Sequence, residues 1–382
     1  MLSTTLVHVV LVVATFPFIY YLIAIFSAWR FFRRKPRIAS DFTPPVSILK
    51  PIRGLDPDAY ENFASFCRQD YPHYEIVFCV GEDDEPAVGL IDKLKREYPE
   101  SSIRVLFGAG ETGAVNDKVA KLARLASEAR HEYLVISDSD VRVRPDYLRN
   151  LVAPLARSQT GAVTCFYVST GEKSFVDNLQ TLGMISDFYA GLLVARQLDG
   201  VKFALGTTIA TTRSHLAAFG GYRSIENRPA DDLLVGRLIA GQGYEVELLP
   251  YTIEAVSDYQ SLSGLLHKWL RWLVVMRHMR PWGHLGLVFT QGLAWSITAA
   301  MLAPGAAAGY LGAYLFLRAA MTWTIGVQGL KCPALWGKMP LVVAWDALAT
   351  LMWLASFLRS SIRWRGGDYY IRDGVLVPAS GD

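Results

Sequence analysis

Apolar and polar positions divide this chain into two long apolar stretches, Leu6 to Phe26 and Leu285 to Leu358, with a middle portion in which short apolar runs alternate with amphipathic ones. From Pro45 onward the runs Val46 to Lys50, Glu75 to Val80, Ile103 to Phe107 and Tyr133 to Ile136 have the length of strands. Between them Ala59 to Arg68, Pro86 to Glu97 and Asp117 to Ala129 read as helices, and such βαβ alternation predicts an α/β domain with a mostly parallel sheet covered on both faces. Further along, the pattern predicts a helix near Tyr147 to Leu155, a strand at Ala162 to Val168 and a long helix over Phe175 to Arg196. A short helix over Asp232 to Ala240 follows, ended by Gly241 and Gly243, and then a strand over Tyr244 to Leu249.

The first apolar stretch is long enough to cross a bilayer. It lacks a basic leader and a small-residue cleavage pattern, so it reads as a retained anchor rather than a removed signal peptide. Arg30, Arg33, Arg34, Lys35 and Arg37 follow it directly, and the positive-inside rule then puts the globular portion in the cytosol. Leu262 to His284 mixes Trp269, Trp272 and Trp282 with Arg271, Arg277 and Arg280, a composition suited to the headgroup layer. Three candidate spans follow, near Leu285 to Met301, Ala306 to Ile325 and Leu341 to Leu358. Three full crossings would put Arg359, Arg363, Arg365 and Arg372 outside, so the first is read as re-entrant or interfacial. The expected organisation is an anchor and basic flank over 1–37, a cytosolic globular domain over 38–260, an interfacial helix over 261–284, membrane-embedded helices over 285–358 and a cytosolic tail over 359–382.

Composition agrees with a membrane protein carrying a water-soluble domain: 382 residues, 52% hydrophobic and 19% charged, with a mean hydropathy of +0.23. A net charge of +3 leaves no nucleic-acid footprint at the level of the whole chain. Cys67, Cys79, Cys165 and Cys332 show no Cys-x-x-Cys spacing; Cys79 and Cys165 fall inside predicted strands and read as small buried apolar residues.

Candidate chemistry starts at Asp138-Ser139-Asp140, which leaves the carboxyl end of the Tyr133 strand. Two carboxylates on such a turn can share a divalent cation, Mg²⁺ or Mn²⁺, with the phosphates of a nucleotide bound where open α/β sheets place ligands. Glu82-Asp83-Asp84-Glu85 closes the second strand: one carboxylate, Glu82 or Asp84, can accept hydrogen bonds from a nucleoside, or the run can cap the next helix. Lys118, opening the Asp117 helix, can reach a diphosphate or can be a solvated lysine. Asp231-Asp232 begins a helix, where one of the pair is a natural N-cap and Asp232 is positioned to act as a general base on an attacking hydroxyl. In Lys268-Trp269-Leu270-Arg271-Trp272, Arg271 can stabilise a departing diphosphate and Trp272 can wall an acceptor.

These elements, in this order, resemble the processive-type family 2 glycosyltransferases and more closely the ceramide glucosyltransferase family. The matching stretches are Val80 to Ala87, Asn116-Asp117-Lys118-Val119, Asp138 to Pro145, Gly220-Gly221, Ala230-Asp231-Asp232, Arg271-Trp272 and Trp364 to Arg372. The resemblance implies a GT-A fold, a UDP-sugar donor, inversion at the anomeric carbon and a lipid acceptor entering from the membrane. It makes Glu82 the counterpart of the family's nucleotide-binding aspartate, Asp140 part of the metal-binding motif and Asp232 the catalytic base. Glu82 is one methylene longer than the usual aspartate, and Lys268 stands where the family has Gln or Arg. The expected activity is transfer of glucose from UDP-glucose to ceramide, with transfer of N-acetylglucosamine to a hopanoid polyol as the alternative within the same chemistry and a catalytically silent membrane scaffold as the alternative outside it.

Overall fold

The computed structural model describes residues 4–34, 41–81, 86–109, 115–170, 174–256, 261–364 and 367–379. The chain forms two compact units, one from Lys35–Glu172 and Val201–Asp258, the other from Met1–Arg34, Lys173–Gly200 and Tyr259–Asp382. The Phe175 to Arg196 stretch, expected inside a continuous globular domain over 38–260, therefore belongs with the terminal helices.

The first unit is built on β1 (Val46–Pro51), β2 (Tyr74–Val80), β3 (Ser102–Phe107), β4 (Tyr133–Ser137), β5 (Val141–Arg142), β6 (Thr160–Thr170), β7 (Thr208–Thr212) and β8 (Glu245–Val256). They make one eight-stranded sheet in the order β3-β2-β1-β4-β7-β6-β8-β5. β1 pairs in parallel with β2 and β4, β2 with β3, and β6 with β8, as the βαβ pattern requires. The sheet is mostly parallel, as expected, with antiparallel pairing added where β7 runs between β4 and β6 and where β5 lies beside β8.

β7 escaped the sequence reading because Thr208-Ile209-Ala210-Thr211-Thr212 looks polar, yet all five residues are buried. β-branched threonine suits a strand, and hydrogen bonds make its burial tolerable. The Thr211 hydroxyl donates to the Gly161 carbonyl at 2.7 Å, and the Thr164 hydroxyl to that of Thr208 at 2.9 Å. The core beneath β1, β2 and β4 includes Ile48, Phe63, Phe66, Phe78, Val135 and Tyr147. Cys79 and Cys165 are buried free thiols, as expected.

In the second unit, Thr4–Phe32 is the one helix among the described residues long and apolar enough by itself to cross a membrane, at 29 residues. The clear C-terminal spans expected from hydropathy are absent among the described residues. Leu341–Phe357 has 17 residues, about 26 Å of helix against a hydrocarbon core of about 30 Å. Pro281–Thr290 and Gly292–Leu302 are long and apolar enough to cross a membrane only when joined, across a bend of 53°. The helix Ala307–Thr322 carries Arg318 in its apolar surface.

Arg318 organises this unit. Only 4% exposed, it donates from Nε to Asp346 at 3.0 Å, from Nη1 to the Ser186 carbonyl at 2.6 Å and from Nη2 to Asp187 at 2.5 Å. Tyr314 donates to Asp346 at 2.8 Å, and Trp345 Nε1 to Asp187 at 2.7 Å. Gly183 permits the accompanying packing, since a Cβ there would stand 2.3 Å from the Trp345 ring. Charges buried this way must be paired, and the pairing fixes Phe175–Asp199 against the C-terminal helices. Beyond them the expected tail is an antiparallel meander of β9 (Ser361–Trp364), β10 (Gly367–Arg372) and β11 (Val375–Pro378). Asp373 and Gly374, at φ 50° and 75°, form its tight turn, an Asp-Gly hairpin signal.

Replacing Arg318 by Met should leave two buried or half-buried carboxylates without their cation and lower stability by about 3–5 kcal/mol. Thermal unfolding of the detergent-solubilised protein measures this, and the double variant Arg318→Met/Asp346→Leu should recover part of the loss. An unchanged midpoint in the single variant would show that the network contributes nothing.

Candidate active site at the carboxyl ends of the central strands

The antiparallel placement of β7 builds the site. Its register against β4 pairs Ser137 with Thr208, so the residues entering β7 meet those leaving β4, and the Asp138 amide donates to the Thr207 carbonyl at 3.2 Å. Gly206 then faces Asp232: a Cβ on Gly206 would stand 2.9 Å from Asp232 Oδ2. Gly236 lets the Asp231–Gly241 helix approach equally closely, since a Cβ there would stand 2.4 Å from the backbone of Phe203 and Ala204. Small residues at 206 and 236 thus bring Asp232 down onto the end of β4.

A second helix supplies the cation. Asn116 caps Asp117–Glu128 by accepting from the Val119 amide. The helix is tied to β1 where Lys121 donates to the Ile52 carbonyl at 2.7 Å. Lys118, in its first turn, reaches Asp138 Oδ1 at 2.7 Å and Asp231 Oδ2 at 3.5 Å. It is an ion-paired lysine with a side chain 16% exposed, not a solvated one. Burial disfavours its charge, but Asp138 and Asp231 outweigh this and hold its pKa above the ordinary lysine value.

The Asp231-Asp232 pair does not cap its helix through a side chain. The residue before it, Ala230, takes the left-handed conformation at φ 57°, a strained backbone for a residue with a Cβ. Both aspartates lie in the first turn, where their carboxylates face the positive end of the helix. Burial, then the neighbouring Asp231 charge, pushes the Asp232 carboxyl up to about 6, with Lys118 acting in the opposite sense. A carboxyl with this pKa is ionised at neutral pH yet basic enough to accept a proton.

One member of the site was missed by sequence reasoning. Lys50 lies on β1, wholly buried. It donates to the Asp138 carbonyl at 2.8 Å and lies 3.7 Å from the centre of the Phe66 ring. Burial pushes its pKa down to about 7 against the pull of Asp138, Asp140 and Asp56. The signal was available, because a lysine in an otherwise apolar strand is almost never buried without a partner. The turn it supports is also held by Ser139, which donates to Asp56 at 2.5 Å, and by Asp140, whose carbonyl accepts from the Val256 amide at 2.8 Å.

Among the described residues no group of three His, Cys, Asp or Glu side chains forms a metal cage. Asp138 and Asp140 are the residues that could hold a cation of the kind that takes one or two protein carboxylates and completes its shell from substrate phosphates. Glu82 and Asp84 lie outside the described residues. Arg271 and Trp272 belong to the other unit, on the helix Leu262–Met279. There Trp272 packs on Phe188 at 5.7 Å and Trp269 at 5.4 Å between ring centres, with the Lys268 ammonium 4.9 Å from its own ring centre.

The profile of glycosyl transferase family 21 matches residues 9–377. The chain belongs to that family. It is 26% identical over 280 residues to ceramide glucosyltransferase 3 of Caenorhabditis elegans, covering 73% of this chain and 60% of the relative. It is 33% identical over 146 residues to the ceramide glucosyltransferase of Komagataella phaffii, covering 37% of this chain and 29% of that protein. The match thus spans less than two thirds of these relatives' own length. Among solved structures, a mannosyltransferase from Pyrobaculum calidifontis, in complex with GDP-Man and Mn²⁺, superposes with a TM-score of 0.56 at 21% identity, over 91% of this chain and 99% of that one. The likeness identifies the fold as GT-A-like. In this member of glycosyl transferase family 21, Lys118, Asp138, Asp231 and Asp232 converge at the carboxyl ends of the central strands.

With Asp232 as the base, kcat/KM should fall about tenfold per pH unit below an inflection near pH 6. The sign follows from the base being the ionised form, so activity is lost as Asp232 takes up its proton. Asp231→Asn removes a charge that raises this pKa and should move the acid limb to lower pH. An unmoved limb would separate Asp231 from the titrating group. Gly206→Ala should displace the Asp232 carboxylate and lower kcat by about 10²-fold, with the unfolding midpoint much less affected; activity and unfolding assays on one preparation compare the two.

Proposed function

We propose that this enzyme transfers glucose from UDP-glucose to the primary hydroxyl of ceramide, with inversion, at the cytosolic face of a membrane. The observation that carries the reading is Asp232: a carboxyl with its pKa pushed up to about 6, beside the Lys118–Asp138 pair at 2.7 Å. Asp232 takes the proton of the acceptor hydroxyl as that oxygen attacks the anomeric carbon. The bond from this carbon to the diphosphate oxygen breaks on the opposite face, and UDP leaves with the electron pair. Lys118 lies where its charge can follow the diphosphate, and its pairing with Asp138 and Asp231 keeps it protonated for that task. Asp138 and Asp140 would hold Mg²⁺ or Mn²⁺, which neutralises charge developing on the leaving diphosphate. The family resemblance assigns the nucleoside to Glu82 or Asp84, the diphosphate to Arg271 and the lipid acceptor to Trp272.

Glucose and ceramide are supported by the names of the relatives, and the lipid class also by the apolar ends of the chain. The Thr4–Phe32 helix with its basic flank anchors the enzyme with the catalytic unit in the cytosol. The C-terminal apolar segments embed beside it. The 53° bend between Pro281–Thr290 and Gly292–Leu302 suits a first segment that enters and returns, or lies at the interface.

Sugar transfer by purified, detergent-solubilised protein tests this, with UDP-glucose and UDP-N-acetylglucosamine offered against ceramide and a hopanoid polyol. Glucosylceramide should form, should disappear with EDTA, and should fall at least ~10²-fold in Asp232→Asn and Asp140→Asn. A product from the other donor or acceptor would reassign the substrates. No product from any pair, with UDP release unaffected by Asp232→Asn, would support a scaffold role.

A further inference from the structure

We propose that Tyr222 positions the donor, its hydroxyl hydrogen-bonding a hydroxyl of the transferred sugar; this rests on the glycosyl-transfer reading above. Tyr222 follows Gly220 and Gly221, whose φ of 89° and 65° turn the chain sharply, and it opens the short turn Tyr222–Ile225. The residue is 2% exposed, and its phenolic oxygen has no hydrogen-bond partner. Buried phenols ordinarily find one, because an unpaired hydroxyl pays its desolvation cost with nothing in return.

The residue lies within electrostatic reach of the charged cluster. Beyond burial itself, Asp231 acts on it most strongly, followed by Lys118, Asp138 and Asp232. Its position is set by the helix that carries Lys118: the Asn116 amide donates to the Glu226 carbonyl at 3.3 Å, and the Val115 amide to Asn227 Oδ1 at 2.9 Å. The Tyr222 turn and the Lys118 helix therefore hold each other in register.

Two other buried polar atoms beside the cluster are equally unpartnered, Asn116 Nδ2 and Thr207 Oγ1. Asn116 commits its Oδ1 to the Val119 amide, which leaves its NH₂ free to donate. Thr207 commits its carbonyl to the Asp138 amide, which leaves its hydroxyl. Three neutral groups with unused hydrogen-bonding capacity, on the segments next to Lys118 and Asp138 and on the Tyr222 turn, match a polyol better than a further anion. A sugar hydroxyl can donate to a carboxylate while accepting from a phenol or an amide, whereas a second anionic group would meet Asp231 and Asp232 unfavourably. Tyr222 is a positioning residue in this scheme, with Asp232 taking the proton.

The test is Tyr222→Phe in the full-length, detergent-solubilised protein with Mn²⁺. Three quantities are measured: the thermal unfolding midpoint without nucleotide, and the affinities for UDP and for UDP-glucose. The variant removes only the unpaired oxygen, so its midpoint should equal or exceed that of the wild type. UDP should bind unchanged, and UDP-glucose about five- to thirtyfold more weakly. Equal UDP-glucose affinity in variant and wild type overturns the proposal while leaving the glycosyl-transfer reading intact. A lowered midpoint with parallel losses for both nucleotides assigns Tyr222 a purely structural role and also overturns it. Failure of the wild type to bind either nucleotide would refute the glycosyl-transfer reading, and the proposal with it.

Discussion

The ion pair between Lys118 and Asp138, with Asp231 as its second partner, is the constraint on which the acidic cluster at the end of β4 depends. Asp138, Asp231 and Asp232 arrive from a strand end and a helix start, and their mutual repulsion in a poorly solvated site opposes the fold that joins them. Lys118, at 2.7 Å from one and 3.5 Å from another, supplies the compensating charge. The compensation is incomplete: burial first, and the Asp231 charge after it, hold the Asp232 pKa at about 6. A carboxyl so placed is ionised at neutral pH and still able to accept a proton.

Geometry sustains that placement. Gly206 and Gly236 remove the side chains that would hold Asp232 away, Ala230 accepts a left-handed backbone so that the helix can begin where it does, and Lys50 grips the Asp138 carbonyl from beneath. None of these residues need take part in bond making. Each limits how far the charged groups can relax apart, which is why small substitutions there should act on activity before they act on the fold.

The second unit solves a related problem. Arg318 and Asp346 lie among apolar helices where unpaired charge is costly, and they satisfy each other together with Asp187, Ser186 and Tyr314. The long interior segment Phe175–Asp199 is drawn into this unit by the same contacts. Its amphipathic pattern is also that of a helix covering a sheet, so periodicity alone could not assign it.

The sequence by itself determined the strand and helix alternation through Tyr133, the long apolar N-terminal helix, the helix starts at Asn116 and Asp231, and the short set of acidic and basic residues from which a site could be built. These follow from local patterning, because apolar period, capping side chains and charge type act over a few residues. Tertiary structure alone decided that β7 inserts antiparallel, since buried threonines look polar until their hydrogen-bond partners from β6 are in place. It also decided that Lys118 is paired rather than solvated, that Lys50 lies beneath the Asp138 turn, and that the Tyr222 hydroxyl is buried without a partner. Each of these depends on which groups meet across many tens of residues, and pairing, desolvation and close approach are properties of the meeting rather than of either segment.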